Sequence, residues 1–186
     1  MSVLYGPSVE SGLHCILWLI GQDGRSVSSR DLADFQGASP SVLGKIMPKM
    51  EKAGLVVSNS GINGGYRLAR PPGEITMLDV VEAIDGPSAI FQCRDVRRGC
   101  VLIRSDPPEW ITGGVCGIHA VMLRAEAAMR SELARTTILD LAQGFKTPPG
   151  FGAEVDAWFA DRGVAREASR ADAVQKSFER RQNDSG

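Results

Sequence analysis

Apolar residues recur at helical spacing from the start of the chain. Val9, Leu13, Ile16, Leu17 and Ile20 lie on one face of a helix predicted from about Ser8 to Ile20, and Gly21 and Gly24 end it. A second helix is predicted from Ser28, with Asp31 in the capping-box position, Leu32 and Phe35 as apolar contacts and Gly37 as its stop. The third opens with Ser39 as N-cap and Pro40 at the first helical position. Val42, Leu43, Ile46, Met47 and Met50 form its buried stripe, and Gly54 ends it. Pro48 deletes the bond to the Gly44 carbonyl, which predicts a bend.

The period then changes. Leu55-Val56-Val57 and Tyr66-Arg67-Leu68 flank a turn rich in Gly and Asn, which predicts a β-hairpin. Thr76 with Asp79 is a capping box opening a helix through Val80, Val81 and Ile84. Residues 87–115 carry Pro and Gly without sustained periodicity. From Cys116 a longer helix places Ile118, Met122, Ala125, Met129 and Leu133 on a narrow seam suited to packing on another helix. Thr136-Thr137 caps a short helix, residues 144–150 read as a linker, and the tail is weakly amphipathic through Val164, Ala168, Ala171, Val174 and Phe178. The predicted fold is mainly α with a small β-hairpin. A winged helix-turn-helix domain spans 1–86, a cysteine-bearing segment 87–115, a long helix and a short helix 116–143, and an extension without an assigned role 144–186.

Charge sharpens the picture locally. The net charge of the 186 residues is −1, yet 25–72 holds seven basic residues (Arg25, Arg30, Lys45, Lys49, Lys52, Arg67, Arg70) and three acidic ones (Asp31, Asp34, Glu51), 7 − 3 = +4. A local basic patch suits nucleic acid, although solvated helix faces would give the same count. No apolar run reaches membrane-spanning length and the start lacks a basic, cleavable leader pattern, so a cytoplasmic protein without a membrane partner is expected. Four cysteines in that compartment point to metal or redox chemistry rather than structural disulfides.

Helix, helix, turn, helix and hairpin is the order of a winged helix-turn-helix, whose second helix of the pair enters the major groove N-terminus first. That places Ser39, Ser41, Val42 and Lys45 at base edges or phosphates, with Asn63, Gly64, Gly65 and Arg67 at the wing. The glycines predict a close backbone approach to DNA.

Several segments resemble the IscR/NsrR/RirA/RsrR type of bacterial winged-helix regulators, nearest to the RsrR branch. They are Ser39-Pro40-Ser41-Val42-Leu43, Lys52-Ala53-Gly54-Leu55-Val56, the run from Gly64 to Pro71, Ile75 to Val81, Ile84-Asp85-Gly86-Pro87 and Thr136 to Leu141. The resemblance covers about residues 3–143. It implies a homodimer whose long helix crosses its partner and whose two heads read a near-palindromic operator in double-stranded DNA. It also implies sensing of redox state, nitric oxide or iron–sulfur status. Some members carry Glu and Arg for base contact where this chain has Gly44 and Ser60, so the operator sequence is not carried over.

Cys93, Cys100 and Cys116 have the spacing C-x6-C-x15-C. In the resembled family three cysteines here hold an iron–sulfur cluster, either 2Fe–2S or 4Fe–4S, and Glu10 matches a trans ligand of the RsrR branch supplied by the other subunit. His119, on the helix turn after Cys116, is another candidate ligand. Three alternatives stay open: thiol oxidation without metal, zinc held by the three cysteines with His119, and a metal-dependent scaffold that does not bind DNA. Cys15 reads as a small buried hydrophobe, and His14 as a satisfied histidine. An enzyme using Cys93 or Cys116 with His119 or His14 is disfavoured, because no phosphate loop or nucleophile elbow is present.

Overall fold

A computed structural model describes residues 4–22, 24–61, 64–87 and 89–183. Asn63 lies outside the described residues. Helix α1 (Pro7–Trp18) buries Val9, Gly12, Cys15 and Ile16. A Cβ on Gly12 would sit 2.1 Å from Ile84 Cδ1, so this glycine lets two helices close on each other. Helix α2 (Ser29–Gln36) starts where Ser28 Oγ accepts the Asp31 N–H and stops at Gly37, whose φ of 64° is a conformation glycine adopts freely. The capping box expected here is only half made, because the Asp31 carboxylate bonds elsewhere.

Helix α3 (Pro40–Lys52) buries Leu43, Ile46, Met47 and Met50, while Val42 is half-buried. It continues as one helix across Pro48. Strands β1 (Val56–Asn59) and β2 (Gly65–Leu68) pair antiparallel, Val56 opposite Leu68 and Asn59 opposite Gly65. A bridge between Val27 and Tyr66 ties the hairpin to the segment entering α2. Helix α4 (Met77–Asp85) carries the expected capping box, Thr76 with Asp79, and packs on α1 and α3.

Residues 89–115 contain a 3-10 turn (Val96–Gly99) and a four-residue helix, α5 (Glu109–Thr112). Helix α6 (Gly117–Arg135), about 28 Å long at 1.5 Å per residue, starts with Cys116 as N-cap. Its return is fixed by α7 (Ile138–Gly144), where Thr137 and Asp140 form a second capping box and the Ile138 N–H donates to the Ile75 carbonyl.

Two expectations need correction. The seam read on α6 does not face one partner: Met129 Sδ accepts from the Tyr5 hydroxyl and Leu133 packs on the chain's own core, whereas Ile118 and Ala125 are exposed. Tertiary packing within the chain claims that stripe first. The tail is also no mere appendage. Residues Phe151–Asn183 form one helix, α8, which buries Val155 and Phe159 in the same core as α1–α4. Its exposed positions include Val164 and Val174, two of the residues first read as its apolar face.

Candidate DNA interface and cysteine loop

The candidate reading surface lies on α3. Its inner face is fully packed, so the opposite face is free to meet a ligand. Ser39, Ser41 and Lys45 are exposed at its N-terminal end, and the Ser39 and Ser41 hydroxyls bond each other at 2.9 Å. Helix N-termini favour phosphate through unsatisfied N–H groups. Gly44 lies on the same exposed face, with open space where a Cβ would stand. Lys49 is engaged otherwise: its Nζ donates to the Ile84 carbonyl at 2.5 Å, at the C-terminal end of α4.

The wing glycines have a reason that the sequence did not reveal. A Cβ on Gly65 would meet the Val27 carbonyl oxygen at 2.4 Å, and one on Gly64 would meet the Asn59 and Gly61 carbonyls at 2.9 Å. The close approach shown is to protein backbone. Arg67 is half-buried in a groove beside Arg25 and Arg70, and its guanidinium donates to the Leu68 carbonyl at 3.4 Å.

The cysteines occupy different environments. Cys15 is fully buried, its thiol donates to Gln36 Oε1 at 3.3 Å, and burial pushes its pKa up to about 12. This agrees with its reading as a small hydrophobe. Cys93 and Cys116 are half-buried and Cys100 is exposed; all four thiols are free. Arg97 organises the loop. Its Nε bonds Asp95 at 2.7 Å and its Nη2 donates to the Gly114 carbonyl at 2.9 Å, while the Asp95 N–H donates to Cys93 Sγ at 3.4 Å. The Asp95 bond raises the Arg97 pKa, and the nearby Cys116 and Cys93 add to the rise. Arg97 and Arg98 in turn hold the Asp95 carboxyl below its ordinary range.

The loop is therefore tied by a chain of direct bonds from Cys93 through Asp95 and Arg97 to the Gly114 carbonyl, two residues before Cys116. Among the described residues, no three His, Cys, Asp or Glu side chains gather as a metal site. His119 instead faces the Phe91 ring, centroids 6.0 Å apart. Glu10 is exposed on α1, at the rim of a concavity shared with His14, Trp18 and Gln36. Trp18 Nε1 and Gln36 Nε2 are buried there without hydrogen-bond partners.

Mechanical connections join loop to head. Glu126 on α6 accepts the Ile90 N–H at 3.2 Å, and Arg130 on α6 pairs with Glu82 on α4 at 2.5 Å. A change in the loop is thus one hydrogen bond from α6 and one ion pair further from the head.

Three packed helices and a hairpin tied to the segment entering the second of them define a winged helix-turn-helix fold. The chain belongs to the Rrf2 family, described as iron-dependent transcriptional regulators, whose profile matches residues 7–144. A Mycobacterium tuberculosis protein named as an HTH-type transcriptional regulator, Rv1287, is 39% identical over 121 residues, 65% of this chain and 69% of that one. The HTH-type transcriptional regulator IscR of Aliivibrio salmonicida is 40% identical over 70 residues, 38% of this chain and 41% of that one. CymR, the global cysteine regulator of B. subtilis, superposes with a TM-score of 0.58 at 23% identity, covering 78% of this chain and all of that one. As a member of this family, the chain is a DNA-binding regulator of transcription. No helix among the described residues is long and apolar enough to cross a membrane.

Proposed function

We propose that two copies of this chain bind a near-palindromic operator, each inserting the α3 N-terminus in the major groove, and that the loop carrying Cys93, Cys100 and Cys116 sets their affinity. The observation that carries the reading is the exposed Ser39–Ser41–Lys45 end of a helix whose opposite face is wholly buried. Lys45 and the α3 N–H groups hold phosphate and base edges, and the hairpin lies against the adjacent backbone. The dimer forms through Ile118, Val121 and Ala125, which are exposed on α6 at coiled-coil spacing.

The loop's donor chemistry suits an iron–sulfur cluster. Its thiols are free and lie outside the packed core, half-buried at Cys93 and Cys116 and exposed at Cys100. Cys93, Cys100 and Cys116 would hold the cluster, with Glu10 of the second subunit as the candidate fourth ligand. Bound there, it supplies a redox-responsive charge. The buried, unpartnered donors beside Glu10 support docking of a polar segment at that concavity. His119 as a ligand, and zinc with it, have less support because His119 packs on Phe91.

A second reading has its own observation. Cys93 and Cys116 are half-buried free thiols at the two ends of the bonded run Asp95–Arg97–Gly114, and among the described residues no third ligand gathers with them, which suits a two-thiol oxidant sensor. The structural relatives include an oxidised form of Staphylococcus aureus CymR, 25% identical with a TM-score of 0.55 over 78% of the chain.

The test is anaerobic purification with iron, sulfide and absorbance measured, then binding to duplexes selected from a random-sequence pool. Absorbance beyond roughly 320 nm with bound sulfide, lost in Cys116→Ser, is the expected result for a cluster. Colourless protein whose DNA affinity still responds to peroxide would favour the thiol pair. Lys45→Ala should lower the salt slope by about 1; an unchanged slope and affinity would remove α3 from the interface.

A further inference from the structure

Helix α8 lies beyond the region matched by the family profile, yet it is bonded to the reading head along its first five turns. Phe151, Val155, Trp158, Phe159, Arg162, Arg166 and Arg170 follow helical spacing, so they share one face. The apolar part of that face is anchored. Phe35 on α2 meets Trp158 at 5.0 Å and Phe159 at 4.9 Å between ring centroids, and Trp18 on α1 meets Phe151 at 6.5 Å.

The arginines continue the line towards the wing. Arg162 lies over the Trp158 ring and pairs with Asp34 and Asp31. Arg166 pairs with Asp31 and donates to Ser28 Oγ at 2.6 Å, at the N-cap of α2. Arg170 donates to the Gly61 carbonyl at 2.7 Å, in the hairpin loop. Between α8 and the hairpin runs a groove of about 440 Å³, lined by Arg25, Val27, Asn59, Gly163 and Arg166 among others.

The chemistry favours the middle contact. The Asp31 side chain is 4% exposed, and a carboxylate removed from water is stabilised by a paired cation. Its partners come only from α8: no cation of the head pairs with it among the described residues. The α2 N-terminus and the hairpin are already linked by the Val27–Tyr66 bridge and by Asn59 Nδ2 donating to Ser26 Oγ at 2.7 Å. Arg166 and Arg170 add a second tie across the same gap, one helical turn apart.

We propose that Arg166 and Arg170 are positioning residues for DNA recognition: α8 is a strap that fixes the hairpin loop against the N-terminus of α2, so that both meet the phosphate backbone in register with α3. This rests on the reading of α3 and the hairpin as the DNA interface. The strap acts on the wing without touching the bases.

The experiment uses the full chain and two readouts. Hydrogen exchange of the hairpin, residues 56–68, is followed without DNA. Hydroxyl-radical footprinting is done on a duplex that the wild-type chain selects from a random pool. Arg170→Ala is the main variant because its contact is on the surface, and Arg170→Lys is the conservative control. Arg170→Ala should speed exchange in the hairpin about fivefold or more, with α3 unchanged. It should erase the outer protection of the footprint while keeping the central one, and weaken binding about 5–10-fold, the value of one hydrogen bond. Arg170→Lys should restore most of each. A role in stability alone would instead speed exchange evenly through head and hairpin. Even acceleration, or unchanged hairpin exchange with an intact footprint, overturns the strap and leaves DNA reading standing. A wild-type chain that selects no duplex overturns the DNA reading itself, and the strap's role with it.

Discussion

The reading head and the cysteine loop belong to one chain yet are held in opposite ways. In the head, Leu32, Leu43, Ile46, Met47, Met50 and Ile75 are all within 2% of full burial. Among the described residues of the loop only Ile111 is buried, while Leu102 is 87% exposed and Trp110 70%. The head is over-determined by packing. The loop is held by a few polar bonds around Arg97 and presents its apolar side chains outward. Dense packing resists local opening, whereas a segment with few buried contacts opens at lower cost.

Thiol chemistry gives the largest expected contrast. At pH 8 iodoacetamide should modify the exposed Cys100 readily and Cys15 scarcely at all, because Cys15 is buried and few of its thiols are ionised when the pKa is about 12. Peptide mass mapping over time checks this, and comparable rates would place Cys15 outside the core. The same shift affects stability. The unfolded chain ionises Cys15 near its ordinary 9.0, before the folded one does, so this contribution is complete below pH 9 and falls by about 1.4 kcal/mol per pH unit above it. Cys15→Ala should flatten that alkaline slope in urea titrations.

Core truncation ranks next. Leu43→Ala should cost about 2–5 kcal/mol in denaturant unfolding, against about 0.5 kcal/mol or less for Trp110→Ala. Equal costs would mean that the loop shares the core of the head. On α6 the contrast is between faces. Val121→Glu should break the dimer in sedimentation without unfolding the subunit, whereas Met129→Glu should destabilise the subunit by about 1 kcal/mol by placing a charge at the half-buried contact with Tyr5. A monomer from Met129→Glu at full stability would return the interface to the seam first read from sequence. The smallest effect belongs to Gly44→Ala. On an open helical face it should stabilise the free protein by about 0.5–1 kcal/mol. A simultaneous loss of DNA affinity would show that the duplex comes within a methyl group of α3.

Much of the head was legible because its signals are local. Ser28, Thr76 and Thr137 announce their helices within three residues, and the α3 stripe and the hairpin need no distant partner. What was hidden depends on contacts far apart in sequence. Asp31 looks like a capping residue because its true partner, Arg166, is 135 positions away. The anchor Phe151, Val155, Trp158 and Phe159 has clear helical spacing, but it follows directly on Pro148, Pro149 and Gly150 and was passed over as linker and tail. The α6 seam shows a different limit. Spacing identifies a face to be covered without saying whether the cover comes from the same chain. The cysteine loop shows the last one: its residue types name a chemistry, but thiol convergence is a matter of three-dimensional placement, and among the described residues of the single chain no three ligating side chains gather.

The α8 strap also gives the head a timetable. Asp31 leaves the ribosome 135 residues before Arg166. At about 5–20 residues per second that is roughly 7–27 s. Throughout that interval the α2 carboxylate lacks its cation and the hairpin lacks its second tie. A nascent chain therefore holds the helices of a DNA reader before it holds the geometry of one, and the head is completed last by the segment farthest from it in sequence.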